Sequence, residues 1–233
     1  MMITTLGFDV YGTLLDTNGV VVTLSTMIGN QATAFARTWR EKQLEYSFRR
    51  GLMRHYDSFS VCIRQALDFT CSLYQTPLDE EQRTLLLKTY RTLPPFPDVI
   101  PGLRQLQSEN FRIYAFSNGS ADTVEKLLEH AGLLDSFLGV ISVEDIRSFK
   151  PDPAVYAHFL RKTGATGGNA WLISSNPFDV IGACSTGMHA MWVRRSPEAI
   201  FDPWGIEPTL TVPSLANMAL QIQEFEKRRQ MLS

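Results

Sequence analysis

Three cysteines in 233 residues, Cys62, Cys71 and Cys184, are too few and too odd in number for a disulfide framework, and no two form a Cys-x-x-Cys pair. They read as free thiols. The four histidines, His55, His130, His158 and His189, are widely spaced and give no His-x-x-x-His pattern, which argues against a histidine metal site. Charge of one sign is missing too: 22 Lys+Arg against 24 Asp+Glu leave a net charge of -2. Such a balance offers no basic face to nucleic acid and none to an anionic membrane. No apolar run approaches the ~20 residues that span a bilayer. The opening Met1-Met2-Ile3-Thr4-Thr5 has neither a basic stretch nor a cleavage site, so the expectation is a cytoplasmic protein. What is present is ordinary for a folded chain, 44% hydrophobic and 20% charged. At about 150 residues per domain the length points to roughly one and a half domains, meaning one domain with a large insertion or two small ones.

The order of elements favours an insertion. Ile3 to Val10 is a near-continuous apolar run broken at Tyr11-Gly12-Thr13, the pattern of a buried parallel strand followed by a glycine turn. From Asp16 to Leu93 no strand is evident, and helix formers dominate Phe35 to Tyr56, Phe59 to Tyr74 and Asp79 to Leu93. Asp79 with Gln82 resembles a capping box, and Pro94-Pro95-Phe96-Pro97 stops the last of these helices. Alternation then begins. Helices are expected at Pro101–Glu109, around Val124, Leu127, Leu128 and Ala131 with Gly132 as the stop, at Asp152–Thr163 and at Asp179–Thr186. A final helix carries Leu215, Met218, Ile222 and Phe225. Strands are expected at Arg112–Ser117, Gly139–Val143, Trp171–Ser174 and His189–Val193. Strand and helix in turn mean an α/β protein whose parallel sheet is covered on both faces. The expected division is a core of residues 1–15 plus 95–233 and a helical unit of residues 16–94.

Ligands of open α/β sheets bind at the carboxyl ends of the strands. The polar residues just past each strand are therefore the candidate site: Asp9, Tyr11 and Thr13, then Ser117, Asn118 and Gly119, then Lys150, then Ser174, Ser175, Asn176 and Asp179. A single aspartate there is commonly a cap or a turn former. Four strand ends that all carry such residues describe a crevice with two carboxylates, one ammonium, several hydroxyls and amides, and no histidine. Asp9 is the candidate nucleophile, with Lys150 keeping it ionised.

Asp9-Val10-Tyr11-Gly12-Thr13-Leu14-Leu15-Asp16, Ser117-Asn118-Gly119, Lys150-Pro151-Asp152 and Ser174-Ser175-Asn176-Pro177-Phe178-Asp179 resemble the four ordered motifs of the haloacid dehalogenase superfamily. The resemblance runs from about Ile3 to Ile222 and implies a Rossmann-like, doubly wound parallel sheet with an inserted helical cap domain. Most members of that superfamily are magnesium-dependent phosphohydrolases, with a second aspartate two residues after the nucleophile and an acid pair in the fourth motif. Tyr11 stands at the first of these positions, and a phenol with a reference pKa of ~10 is a poor proton shuttle near neutral pH. Ser175 takes the earlier acidic position of the fourth motif, leaving Asp179 alone to hold a hard cation. No cofactor and no metal are expected.

A halide leaves as a stable anion and needs neither a proton nor a metal. Trp39-Arg40-Glu41-Lys42-Gln43-Leu44-Glu45-Tyr46 is similar to a cap segment of the L-2-haloacid dehalogenases, whose arginine assists halide release. The resemblance then implies hydrolysis of short 2-haloacids at Asp9, with Arg40 and Asn118 receiving the halide. Ser117, Tyr11, Gly12 and Asn118 hold the substrate carboxylate through a hydroxyl and backbone amides. The same resemblance implies that Lys150, Ser174, Asn176 and Asp179 orient Asp9 and the water and that Thr13 hydrogen-bonds the nucleophile loop; Tyr156 matches a catalytic tyrosine of the family by position, and Leu44, Phe59 and Phe178 are expected to line the alkyl side. Glu41 departs from the glutamine usual there, which puts a negative charge near the halide or out into solvent. A homodimer is the usual assembly of such enzymes. Two other readings stay open at this point: a magnesium-dependent phosphatase of a small metabolite, and a non-catalytic binder of small acids.

Overall fold

The computed structural model describes residues 3–232; Met1, Met2 and Ser233, counted in the expected core, lie outside the described residues. Six parallel strands form one sheet in the order β3-β2-β1-β4-β5-β6. They are β1 (Thr4–Phe8), β2 (Phe111–Ser117), β3 (Val140–Ser142), β4 (Ala170–Ser174), β5 (His189–Val193) and β6 (Leu210–Val212). β1 sits between β2 and β4, with Leu6 opposite Ile113 on one side and Trp171 on the other. The order reverses at β1: the chain first builds outward through β2 and β3, then crosses back to β4. That is the topological switch point at which α/β sheets bind ligands. Every residue of β1 and of β4 is buried, as expected for strands covered on both faces. Gly7 permits one of those covers to come close, because a Cβ there would stand 2.7 Å from the Phe159 ring.

Nine helices are described: α1 (Val20–Ile28), α2 (Ala32–Leu52), α3 (Phe59–Leu73), α4 (Glu80–Thr89), α5 (Val99–Gln107), α6 (Ala121–His130), α7 (Pro153–Thr163), α8 (Pro177–Ser185) and α9 (Met218–Leu232). The Asp79–Gln82 capping box opens α4, with reciprocal hydrogen bonds of 2.8 and 3.0 Å. Gly132 ends α6 at φ +68°, while Leu133 N–H returns to Leu128 O at 2.8 Å, a Schellman closure. Among the described residues no helix is long and apolar enough to cross a membrane.

The helices α1 to α4 all lie between β1 and α5. The chain leaves the core at Asp16 and returns beside its own exit: Asp16 N–H donates to Pro94 O at 2.8 Å, and Phe96 N–H to Leu14 O at 3.0 Å. Two elements go beyond the sequence expectation. The first is α1, Val-Val-Val-Thr-Leu-Ser-Thr-Met-Ile, rich in β-branched residues that disfavour helix in isolation. Burial of Val20 and Leu24 overrides that propensity. The second is β6, a three-residue edge strand too short to show alternation, held by pairing of Val193 with Val212. The final helix also starts later than its apolar spacing suggests. Leu215 precedes α9 and is buried against Gly102, where a Cβ would stand 2.8 Å from the Leu215 Cβ.

Candidate active site

The carboxyl ends of β1, β2 and β4 and the segment before α7 meet at Asp9. Its backbone N–H continues the sheet ladder to Ile173 O at 3.0 Å, so the residue leaves the strand in a fixed direction. The chain then turns sharply. Gly12 takes φ +84°, a conformation that side-chain-bearing residues rarely adopt, and its N–H closes the turn on Leu15 O at 2.8 Å. The turn brings Thr13 back over Asp9, where its hydroxyl donates to Asp9 Oδ2 at 2.7 Å. Asn176, from the start of α8, donates Nδ2 to the same oxygen at 2.7 Å. The other carboxylate oxygen receives Lys150 Nζ at 3.3 Å. Asp9 is 7% exposed, so these three donors hold it largely out of solvent.

Lys150 is itself 1% exposed, and a buried ammonium must be paired. Besides Asp9, its Nζ donates to Asp179 Oδ2 at 2.7 Å and to Phe116 O at 2.9 Å, and it lies 4.2 Å from the centre of the Phe116 ring. Asp179 is fully buried and accepts the Tyr156 hydroxyl at Oδ1 at 2.8 Å. Gly182 leaves room for that tyrosine, since a Cβ there would approach the ring to 2.7 Å. Asn118 Oδ1 accepts Lys150 N–H at 2.9 Å, which fixes the amide and turns its Nδ2 donor away from that bond. Ser117 Oγ and Ser174 Oγ accept the N–H groups of Gly119 and Asn176, each at 3.1 Å, so both serines brace the loops that present the donors.

Burial raises the Asp179 carboxyl above its ordinary 3.8; Lys150 pulls it down and Asp9 pushes it up. The folded protein therefore keeps this proton to a higher pH than the unfolded chain does. The stabilisation from this group is complete below the unfolded value and is lost as pH rises through the folded one. Asp179→Asn removes that dependence. Its urea midpoint is expected to gain on that of the parent as pH is raised from about 4. A constant difference in midpoint across the acid range contradicts the assignment.

Arg40, half-buried on α2, reaches down to the loop after Asp9 and donates Nη2 to Tyr11 O at 3.2 Å. Its acidic neighbours on the helix are engaged elsewhere: Glu41 faces Arg37 at 3.9 Å at the exposed surface, and Glu45 pairs with Lys42 and Arg49. Glu41 thus points to solvent, and Arg40 is left for the crevice. Leu44, one turn beyond Arg40, shares its helix face. Phe59 is buried with its ring 5.5 Å from that of Tyr11, and Phe178 stacks edge-on with Phe48 at 5.0 Å. One expectation needs correction. The Gly12 N–H is taken by Leu15 O in closing the turn, so Gly12 shapes the loop and offers no amide to a substrate.

Several further residues tie the site together. Ser175, at the position of the missing acid, donates its N–H to Thr13 Oγ1 at 2.8 Å and its hydroxyl to Gly12 O at 2.6 Å, tying the β4 loop to the nucleophile turn. Buried Gln43 accepts the Tyr90 hydroxyl at 2.8 Å and Arg40 Nη1 at 3.5 Å, steadying the guanidinium from behind. Arg195, past β5, clasps Asp98 with two bonds of 2.7 Å and donates to Thr13 O. Gln43 lies inside the segment already singled out, whereas Tyr90 and Arg195 join the site only through tertiary packing.

An ammonium occupies the space between the two carboxylates, and among the described residues no group of three or more His, Cys, Asp or Glu could hold a metal ion.

A buried aspartate at a sheet switch point, paired with a buried lysine, in a chain whose helices α1 to α4 are inserted between β1 and α5, is the arrangement of a hydrolase of the haloacid dehalogenase kind. The family model for haloacid dehalogenase-like hydrolases matches residues 3–185, and the chain belongs to that family. Over 212 residues it is 35% identical to an (S)-2-haloacid dehalogenase of Pseudomonas putida, covering 91% of this chain and 93% of that protein. It is also 35% identical to the haloacetate dehalogenase H-2 of Moraxella sp., covering 89% and 92%. Among solved structures, L-2-haloacid dehalogenase from Xanthobacter autotrophicus with chloropropionic acid covalently bound superimposes with a TM-score of 0.87 at 31% identity, covering 95% of this chain and 99% of that one.

Proposed function

We propose that this protein hydrolyses short-chain L-2-haloalkanoic acids to D-2-hydroxy acids, and haloacetates to glycolate, without a metal or cofactor. One observation carries the reading. Asp9 is held by a lysine, and position 11 carries a buried phenol, a far weaker proton donor near neutral pH than a carboxylic acid. Burial, with Tyr90 alongside, pushes the Tyr11 phenol well above the usual tyrosine range. A site so poor in proton donors favours a leaving group that departs as a stable anion, which a halide does and an alkoxide does not.

In the reaction that follows, an Asp9 carboxylate oxygen attacks C2 of the substrate from the side opposite the halogen. The C–O bond forms as the carbon–halogen bond breaks, and the halide leaves with the electron pair toward Arg40 and Asn118 Nδ2. Ser117 and the amides of Tyr11 and Asn118 hold the substrate carboxylate. Water then adds to the side-chain carbonyl carbon of Asp9, the ester opens, and Asp9 is regenerated while the 2-hydroxy acid departs. Lys150, Ser174, Asn176 and Asp179 orient the carboxylate and the water, with Tyr156 fixing Asp179. One displacement at C2 inverts the centre. Helices α1 to α4 act as a cap, residues 16–94 over a core of 1–15 and 95–233, and bring Arg40, Leu44 and Phe59 to the substrate. Cytoplasmic residence and a homodimer belong to the same reading.

The test is chloride release from L-2-chloropropionate in the presence of EDTA, with the handedness of the product determined. Chloride and D-lactate are expected. A folded protein that releases no halide, but frees phosphate from small phosphoesters when magnesium is added, is a phosphohydrolase instead.

A further inference from the structure

A cavity of about 150 Å³ opens beside the nucleophile loop, between α3, the end of α4 and the start of α6. Tyr11 forms part of its wall, so it borders the loop that carries Asp9. Two arginines line it, Arg64 from α3 and Arg91 from just past α4, together with the hydroxyl-bearing Ser60 and Thr123. Aliphatic side chains of α3 and α4 and the Tyr90 ring complete the lining.

The two arginines differ from others of the helical segment. Arg37, Arg49 and Arg83 each pair with a carboxylate of the helices, Glu41, Glu45 and Asp68 in turn. Arg64 and Arg91 are exposed and make no ion pair or side-chain hydrogen bond among the described residues. In a chain of net charge -2, two unpaired cations lining one concavity make a local positive field that the protein itself does not neutralise. The Arg91 and Arg40 charges both act on the Tyr11 phenol, which lines the cavity and stands on the loop that carries Asp9.

We propose that this cavity is an anion-capture site, which takes a short-chain monocarboxylate by its carboxylate on Arg64 and Arg91 and by its alkyl part on the aliphatic wall before it passes to Asp9. The inference rests on the proposed dehalogenase reading and adds to it a second site that takes no part in the chemistry. Capture of this kind raises the local substrate concentration without touching the displacement step.

The test is steady-state turnover of L-2-chloropropionate by the Arg64→Gln/Arg91→Gln double variant, at about 0.01 M and about 0.5 M ionic strength. At low salt kcat/KM is expected to fall about 5- to 20-fold through KM, with kcat unchanged, and the gap is expected to close at high salt. An Arg104→Gln/Arg228→Gln variant makes the same change in net charge away from the cavity and is expected to behave like the parent. An unchanged kcat/KM at low salt overturns the proposal, as does a parallel loss of kcat or an equal loss in the control variant. A parent enzyme that releases no halide removes the proposed function and this site with it; an active parent whose variants are unaffected removes the site alone.

Discussion

Replacing Asp9 by Asn is expected to lower turnover of a 2-haloacid by about 10⁴-fold or more, while the fold survives. The substitution preserves shape and removes the nucleophile. An amide oxygen at the Oδ2 position still accepts from Thr13 and Asn176, both at 2.7 Å in the parent. The amide nitrogen then faces the Lys150 ammonium across the 3.3 Å now spanned by an ion pair, but Lys150 keeps Asp179 and Phe116 O. The variant should therefore denature cooperatively with little change in midpoint, and the loss lies in the chemistry. Ten-thousandfold is about 5 kcal/mol of barrier, within reach of one nucleophile. A companion measurement separates attack by Asp9 from direct attack by water. In a single turnover in oxygen-18 water with enzyme in excess, the ester route delivers solvent oxygen to Asp9 and the old carboxylate oxygen to the product. Direct hydrolysis labels the product instead. An Asp9→Asn variant that retains turnover, or a labelled first product, removes the ester mechanism.

How far such a site can be read from the chain depends on what positions each residue. A parallel sheet brings all its carboxyl ends to one edge, so a polar residue just past an apolar run is already half located. Asp9, Ser117, Asn118, Ser174 and Asn176 are legible for that reason, and β1, β2, β4 and β5 with them. Lys150 follows β3 by a longer connection; it falls among the strand-end residues, but its place between Phe149 and Pro151 says little by itself. Tertiary partners leave no such trace. Nothing near Tyr90 announces that its hydroxyl meets Gln43 and steadies Arg40, and nothing near Arg195 announces the Asp98 clasp beneath Thr13. The same limit explains α1, whose β-branched residues argue against helix until Val20 and Leu24 are buried by neighbours that local spacing does not reveal. At Gly12 the sequence shows a glycine turn but not the closure of its amide on Leu15 O.

Lys150 is where stability and chemistry meet, and Lys150→Met should damage both. Methionine fills most of the lysine stem, so packing against Phe116 is largely kept and the loss is mainly electrostatic. Two carboxylates are then left in one buried pocket with no cation between them, and Phe116 O loses its donor. Breaking a buried ion pair from one side typically costs about 3–5 kcal/mol, because the remaining charge stays desolvated. The pocket can relieve part of this by keeping a proton on Asp179, whose carboxyl burial already pushes upward. The single variant should thus be much less stable than the parent near neutral pH and recover as pH falls. Turnover should drop by about 10²–10³-fold, since Asp9 loses one of three donors that aim it. Adding Asp179→Asn to Lys150→Met removes the second charge, and the double variant should regain much of the stability. An asparagine can accept nothing from the absent ammonium, but its amide still meets the Tyr156 hydroxyl. Turnover should stay low, because Asp9 remains unbraced. Urea denaturation and kcat for the four proteins of this cycle measure the coupling directly. If the double variant is no more stable than Lys150→Met alone, the damage is a packing defect, and the lysine's role as the cation between two buried carboxylates fails.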